Sequence, residues 1–225
     1  MTDSEIPLIG GRVTPGVVRV GATVRRPQSP QSAFAHRLLR GLAERGFAGA
    51  PQFLGVDDRG REILSFLPGD VPSDLGTFTA AQFGAAARLL RALHDLTAAL
   101  ALRGTGEVIC HGDASPCNAV FLDGLPYAWI DFDSAHPGQR SDDLGYAAWH
   151  WLVIGDDDWA PDVQRQRLAQ FFDDYGAATN IDPVAAVLAA QTRCCNRIDG
   201  PPGNREWAEE CRAWTVKHLS GPLGP

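Results

Sequence analysis

The sequence is nearly devoid of lysine. Among its 225 residues and 20 basic side chains there is one lysine, Lys217, close to the C-terminus, and all the others are arginine. A site in the first half of the chain that needs a positive side chain must therefore use arginine. Arginine binds phosphate and carboxylate groups well through its planar, two-pronged guanidinium, but its geometry differs from that of lysine.

Signals for a membrane span, for secretion, for nucleic acid binding and for disulfide bonds are also missing. No window of about 18 apolar residues is present, so we expect no membrane partner. The N-terminus, MTDSEIPLIG, has no basic segment followed by an apolar one, which predicts a cytoplasmic protein without a signal peptide. The net charge of -7 argues against a nucleic acid partner. Five cysteines, an odd number, do not indicate a disulfide framework.

The stretch from 108 to 133, VICHGDASPCNAVFLDGLPYAWIDFD, organises the chain. A short apolar strand runs into Asp113 and a loop to Asn118, and two further strands are joined at Asp123-Gly124. An Asp-Gly pair between apolar runs predicts a tight hairpin. The returning strand would bring Asp131 beside Asp113 and Asn118, so that three oxygen-bearing side chains converge.

These residue types at this spacing suit metal-assisted phosphoryl transfer. Asp113 can accept a hydroxyl proton and orient the nucleophile, which makes it the candidate catalytic residue. Asn118 and Asp131 offer the hard oxygen ligands that magnesium prefers. Protein kinases have an Asp and an Asn at the same spacing, followed by an Asp at the end of a strand.

With HGDASPCN followed by IDFD, the chain resembles the aminoglycoside phosphotransferase and choline kinase family, the small-molecule branch of the protein-kinase-like fold. The resemblance implies an α+β, two-lobed structure. Residues 1–67 would form an N-lobe with a reduced antiparallel sheet and one helix, and residues 68–225 a mostly helical C-lobe carrying the hairpin 108–133. It also implies ATP (or GTP) and magnesium as cofactors and a small-molecule hydroxyl acceptor.

The resemblance assigns further roles residue by residue. Backbone groups of Ser65, Phe66 and Leu67 would face the nucleotide base, while His111, Asp133 and Asp143 would support the loop. Apart from the resemblance, Asp156, Asp157, Asp158 and Trp159 form an acidic loop with an aromatic ring, which suits binding of a cationic acceptor. The alternative is a solvated turn with an N-terminal helix charge.

The chain departs from the family pattern at the third strand, where a lysine normally pairs with a glutamate of the first helix. Here the candidates are Arg25 and Arg26, and which of them replaces the lysine is open. The helix partner is also doubtful, because His36 lies near the expected position and Glu44 lies close to the helix end.

Periodicity and turn residues predict the remaining elements. They are strands within 6–26 with a Thr14-Pro15-Gly16 turn, a helix from Ser32 to about Arg45, two strands within 53–67, and a helix from Thr79 to about Leu102. A turn at Pro137-Gly138 and a helix capped by Ser141-Asp142-Asp143 follow, and then helices from Pro161 to Tyr175, from Pro183 to about Arg197 and from Asn204 to Leu219.

Two functions remain open at this stage. The main interpretation is an ATP- and magnesium-dependent phosphotransferase acting on a hydroxyl of an aminoglycoside-like or other small compound, because Asp113, Asn118 and Asp131 occur together. The alternative follows from the missing lysine. It is a weakly active or inactive kinase-like immunity or regulatory module that binds a nucleotide or small ligand, as the compact trifolitoxin-immunity-like members of the family suggest. The acceptor and the oligomeric state cannot be read.

Overall fold

The structure is a computed structural model that describes residues 4–8, 16–155, 159–176, 180–197 and 203–220. It has an antiparallel sheet at its N-terminal end and a helical C-terminal region, so the α+β class is confirmed. The N-terminal sheet has the order β1-β2-β3-β5-β4. Its strands are β1 (Ile6–Pro7), β2 (Val18–Val20), β3 (Thr23–Pro27), β4 (Phe53–Val56) and β5 (Arg61–Ser65). The predicted Thr14-Pro15 turn and the Gly10-Gly11 pair lie outside the described residues.

Helix α1 (Ser32–Glu44) connects β3 to β4 and buries one apolar face. Leu38, Leu39 and Leu42 are each at most 3% exposed, which matches the helical spacing read from the sequence. The helix begins at Ser32, as predicted, and Gln31 precedes it without a side-chain cap.

In the part of the chain that the structure describes, the helical region has five longer helices, α2 (Ala80–Ala98), α3 (Arg140–Leu152), α4 (Pro161–Tyr175), α5 (Pro183–Cys195) and α6 (Asn204–Leu219). Thr79 caps α2 in a reciprocal pair with Gln82. The prediction that α2 runs to Leu102 was wrong, because the helix ends at Ala98 and a short 3-10 turn follows. Within the described residues, no helix is both long and apolar enough to cross a membrane.

Two small antiparallel pairs lie between α2 and α3. Strands β7 (Ala119–Leu122) and β8 (Leu125–Trp129) form the predicted hairpin. Strand β6 (Val108–Cys110) does not join that hairpin. It pairs with β9 (His136–Gly138), where the sequence predicted a turn at Pro137-Gly138. Because β9 follows the 131–134 segment, this pairing closes the loop that carries Asp113.

The start of α3 also differs from the prediction. The helix begins at Arg140, and a capping box joins Gln139 to Asp142, so that Asp143 has no capping function and turns inward. Farther along α3, Gly145 lies so close to α5 that a Cβ atom would overlap the carbonyl oxygen of Ala186. A glycine at this point therefore permits the close packing of α3 on α5.

Candidate functional site

The loop after β6 is held by hydrogen bonds from its own backbone and from a tryptophan. The carbonyl of Asp113 accepts from Ser115 N at 2.8 Å and from the side-chain Nδ2 of Asn118 at 2.9 Å. The indole nitrogen of Trp151, fully buried on α3, donates to the carbonyl of Ala114 at 3.1 Å. His111 lies across the loop, with Nε2 at 3.0 Å from the carbonyl of Ile130. The loop is thereby tied both to the hairpin and to α3.

A buried carboxylate supports the same loop from α3. Asp143 is 1% exposed and accepts from His111 N at 2.6 Å, from Gly112 N at 2.9 Å and from His94 Nε2 at 3.0 Å. Burial raises the pKa of a carboxyl, but the hydrogen bond and charge of His94, the charge of His111 and the Gly112 amide outweigh it, so the pKa of Asp143 lies below its usual range. Asp143 therefore bonds to the backbone of the loop that leads to Asp113, and the supporting role of Asp143 and His111 stays a prediction.

The side chain of Asp113 has a tyrosine partner. Tyr146, one turn along α3 from Asp143, donates its hydroxyl to Asp113 Oδ1 at 2.7 Å. Burial, followed by the charge of Asp113, raises the pKa of Tyr146 well above its ordinary value, which keeps the phenol neutral and a hydrogen-bond donor. His150 stacks on the tyrosine ring with centroids 4.0 Å apart. Asp113 is therefore held with one oxygen bonded to a hydroxyl group.

Asp131 follows β8 in a left-handed backbone conformation, with φ 63° and ψ 65°. Such a conformation is uncommon for a residue other than glycine, and strained residues of this kind cluster at functional sites. Its Oδ1 lies 3.1 Å from Nη1 of Arg26, which reaches across from β3. Nη2 of Arg26 also bonds to Asp133. One guanidinium thus contacts both carboxylates at the end of the hairpin.

On the side of the sheet, Arg26 pairs with a third carboxylate, that of Glu62 on β5. Arg26 Nε lies 3.4 Å from Glu62 Oε1, and Glu62 Oε2 lies 2.6 Å from Nε2 of His36 on α1. The first helix therefore contributes His36 to this cluster, at the position where the kinase pattern has a glutamate, and Glu62 of the sheet supplies the carboxylate. Burial alone would lower the pKa of Arg26, but the charges of Asp131, Asp133 and Glu62 outweigh it and raise that pKa.

Arg25 is not brought to this cluster. Its Nη1 donates to Thr23 Oγ1 at 2.6 Å, and its Nε lies 3.8 Å from Asp57. Because successive side chains of a strand alternate between the two faces of a sheet, Arg25 faces away from Asp131. Of the two arginines, Arg26 is therefore the one that meets the hairpin.

The predicted base-binding segment is only partly available. The amide of Ser65 donates to the carbonyl of Gln52 and that of Phe66 to the carbonyl of Ala22, both at 2.9 Å. These two amides are used within the sheet, so a contact between a backbone amide and a nucleotide base would fall to Leu67. That contact remains a prediction.

Of the predicted acceptor loop, the structure describes only Trp159. Asp156, Asp157 and Asp158 lie outside the described residues. Trp159 is engaged with α4, where its ring lies 4.8 Å from the guanidinium carbon of Arg167 and its carbonyl accepts from Gln164 Nε2 at 3.1 Å. These contacts of Trp159 are made with α4, and a contact between Trp159 and an acceptor stays a prediction.

The donors at the hairpin fit a divalent cation. The side-chain nitrogen of Asn118 donates to the carbonyl of Asp113, so its side-chain oxygen is the atom that would bind a metal. The side chain of Asp131 is 40% exposed and is therefore accessible to an ion. Asp131 and Asp133 already stabilise a positive group, the guanidinium of Arg26. Carboxylate and carboxamide oxygens are the ligands that magnesium takes in proteins, so the residues suit this ion.

Sequence reasoning missed three residues of the site. Glu62 could have been found only from the register that sets it opposite Arg26 in the antiparallel pair of β3 and β5. Tyr146 had a sequence signal, because it lies three residues after Asp143 and shares its face of a helix. Trp151 had no local signal, because its bond to the loop backbone joins residues 37 positions apart.

Known proteins resemble the chain in fold and, in one case, in sequence. No protein-family model matches it. A gentamicin complex of APH(2")-IIa superimposes with a TM-score of 0.61 at 13% identity, covering 96% of this chain and 92% of that one. The aminoglycoside phosphotransferase APH(3'')-Id from Streptomyces rimosus, in complex with ADP and streptomycin, gives 0.54 at 15% identity, covering 90% and 91%. These similarities establish the fold.

Sequence identity is much higher to the trifolitoxin immunity protein of Rhizobium leguminosarum bv. trifolii. It is 38% over an alignment of 179 residues, and the match covers 72% of this chain and 67% of that protein. The chain therefore belongs to the family of the trifolitoxin immunity protein and has the protein-kinase-like fold of the aminoglycoside phosphotransferases.

Proposed function

We propose that this chain is an immunity-type protein whose kinase-like site binds a nucleotide together with magnesium. The observation that carries the proposal is the meeting of Arg26 from the sheet with Asp131 from the hairpin, 3.1 Å apart. A cation for phosphate groups and a carboxylate for a metal ion are thus joined in one cluster, in which Arg26 is buried and Asp131 is accessible. The family relationship supports the immunity role, and the ADP-bound neighbour of the same fold supports a nucleotide ligand.

Each residue has a specific task in this proposal. Asn118 and Asp131 would hold the metal, which when bound neutralises charge on the phosphates. Arg26 would contact the phosphates in place of the family's lysine, and Leu67 would contact the base. Arg25 has no task at the site, because its guanidinium is held on the opposite face by Thr23 and Asp57.

A second candidate function, phosphoryl transfer to a small molecule, is favoured by the bond between Asp113 and Tyr146. The bond from Tyr146 to Asp113 Oδ1, at 2.7 Å, fixes the orientation of the carboxylate, and its other oxygen would take the proton as a general base. An acceptor hydroxyl would give its proton to Asp113 while its oxygen bonds to the γ-phosphorus. The bond from that phosphorus to the bridging oxygen would break, and ADP would leave.

Calorimetric titration of ATP and of GTP, each with and without magnesium, tests nucleotide binding. We expect micromolar, magnesium-dependent binding that is lost in Asp131→Ala. Asp123→Asn changes an acid at the opposite end of the same hairpin and should leave the affinity unchanged. Absence of binding in every condition would refute the proposed nucleotide site.

ADP release in the presence of hydroxyl-bearing compounds, with gentamicin and streptomycin among them, tests the second function. Asp113→Asn should lower the rate on the order of 10²-fold or more if proton acceptance contributes, while leaving ATP affinity nearly unchanged. Nucleotide binding without release of ADP for any compound would leave a binding module of the immunity type. An unaffected rate in Asp113→Asn would rule out Asp113 as the base.

A further inference from the structure

Arg26 is a single cation among three carboxylates. Its side chain is 10% exposed, and it contacts Glu62 on one side and Asp131 and Asp133 on the other. Glu62 is 4% exposed at its side chain, so the contact on the sheet side is shielded from water. A guanidinium presents its donors in a fixed plane. Holding its Nε edge against the sheet therefore directs its two terminal nitrogens toward the hairpin.

Glu62 is itself fixed from two directions. The register of β3 and β5 sets it directly opposite Arg26. On its other side, Oε2 lies 2.6 Å from Nε2 of His36, and the ring of His36 stacks on Phe53 of β4 with centroids 3.7 Å apart. The row Phe53, His36, Glu62 and Arg26 therefore links α1 and the sheet to the end of the hairpin.

The contact between Glu62 and Arg26 acts through charge and position. Arg26 Nε is buried and makes no well-aligned hydrogen bond, although it lies 3.4 Å from Glu62 Oε1. Arginine has a long side chain with several rotatable bonds, and ordering it costs conformational entropy. A fixed negative charge beside Nε favours the one rotamer that extends toward Asp131.

We propose that Glu62, held by His36, is the positioning residue that sets Arg26 against Asp131. It performs from a strand the task that the kinase pattern gives to a glutamate of the first helix. The consequence for ligand binding rests on the proposed nucleotide site, since Arg26 would meet the phosphates with its terminal nitrogens already directed toward the metal side. The contact to Asp131 itself needs no ligand and can be tested separately.

The first experiment measures MgATP affinity by calorimetry in a double-mutant cycle of Glu62→Gln and Arg26→Met. Because a hydrogen bond or ion pair to a charged group is commonly worth a factor of ten or more, Glu62→Gln should weaken binding about tenfold in the natural chain. In the Arg26→Met background the same change should weaken it less than about twofold, since Glu62 acts through Arg26. An equal loss in both backgrounds would mean a structural role and overturn the proposal.

Asp57→Asn is the matched control. It removes an ion pair of the same sheet, with Arg61 at 2.8 Å, on the face away from the hairpin. MgATP affinity should not change. A loss equal to that of Glu62→Gln would show that any weakened ion pair in the sheet impairs binding, which would also overturn the positioning role.

The second experiment needs no nucleotide. Urea unfolding of Arg26→Met, Asp131→Asn and the double variant gives the coupling between the two residues as a non-additive shift of the midpoint. We expect this coupling to fall by at least about half when the cycle is repeated with Glu62→Gln. His36→Phe keeps the stacking on Phe53 but removes the bond to Glu62, so it should also weaken the coupling of Arg26 to Asp131. His36→Gln keeps a hydrogen-bond donor, and the coupling in this variant should be close to that of the natural chain.

The two experiments separate the possible failures. If the natural chain does not bind MgATP, the proposed nucleotide site fails, and the unfolding cycle still decides the positioning role. If MgATP binds and the coupling of Arg26 to Asp131 is the same with and without Glu62, the positioning role fails and the nucleotide site stands.

Discussion

Replacing Asp143 by alanine should destabilise the whole chain. The carboxylate accepts hydrogen bonds from two backbone amides and from His94. His111 and His94 are fully buried, and Gly112 is partly buried. A buried donor that loses its partner costs about 1–3 kcal/mol. Since the three losses are not additive, the expected decrease in the free energy of unfolding is about 3–5 kcal/mol.

Thermal and urea unfolding measure this effect. For a chain of this size, 1 kcal/mol corresponds to a change in Tm of about 2–4 °C, so Asp143→Ala should lower Tm by roughly 10 °C. The control is Asp142→Ala, which removes the adjacent carboxylate of the same helix. Asp142 is partly exposed, caps Gln139 N at 3.0 Å and pairs with Arg193. Its loss should cost about 1 kcal/mol.

A result in which Asp143→Ala and Asp142→Ala are equally stable would refute the reasoning. It would mean that the loop amides of His111 and Gly112 find other partners once the carboxylate is removed. The loop could then be maintained without α3, and Asp143 would not be the residue that fixes the backbone before Asp113.

Three further predictions concern single positions. Gly112→Ala should lower the free energy of unfolding by about 2 kcal/mol or more, measured in urea, because φ is +80° and the new Cβ would overlap the carbonyl of Ser134; an unchanged midpoint would contradict it. Val153→Gly should raise the Tm, since a β-branched residue at φ 52° carries about 1–2 kcal/mol of strain; a lower Tm would show that the lost side-chain packing is worth more. Burial lowers the pKa of His150, so the unfolded chain takes up its proton first as pH falls below about 6.5, and stability should decrease there by up to about 1.4 kcal/mol per pH unit. In His150→Phe that slope should be smaller in urea unfolding between pH 7 and 5, and an identical slope would contradict the assignment.

Much of the fold could be predicted from local patterns. Helices α4 and α6 have the predicted bounds, and the hairpin at Asp123-Gly124 forms as its turn residues indicate. These signals are local, because apolar spacing, capping residues and turn residues act within a few positions of one another. Predictions were wrong where the outcome depended on a distant partner, as for β9, which pairs with β6 instead of forming a turn.

The candidate site divides in the same way. The spacing of Asp113, Asn118 and Asp131 predicted metal-assisted phosphoryl transfer, because one continuous segment, the loop after β6 and the hairpin that follows it, carries all three. Whether Arg25 or Arg26 meets that hairpin depends on which face of the sheet is turned toward it, and only the tertiary structure decides this.

The pairing of Arg26 with Glu62 could not be predicted from the sequence for the same physical reason. Glu62 lies on another strand, and only the register of β3 and β5 sets it opposite Arg26. The sequence by itself determined which reactive groups the chain possesses and their order along one hairpin. The tertiary structure decided which charges neutralise one another, because buried ion pairs form between residues that packing brings together, wherever they lie along the chain.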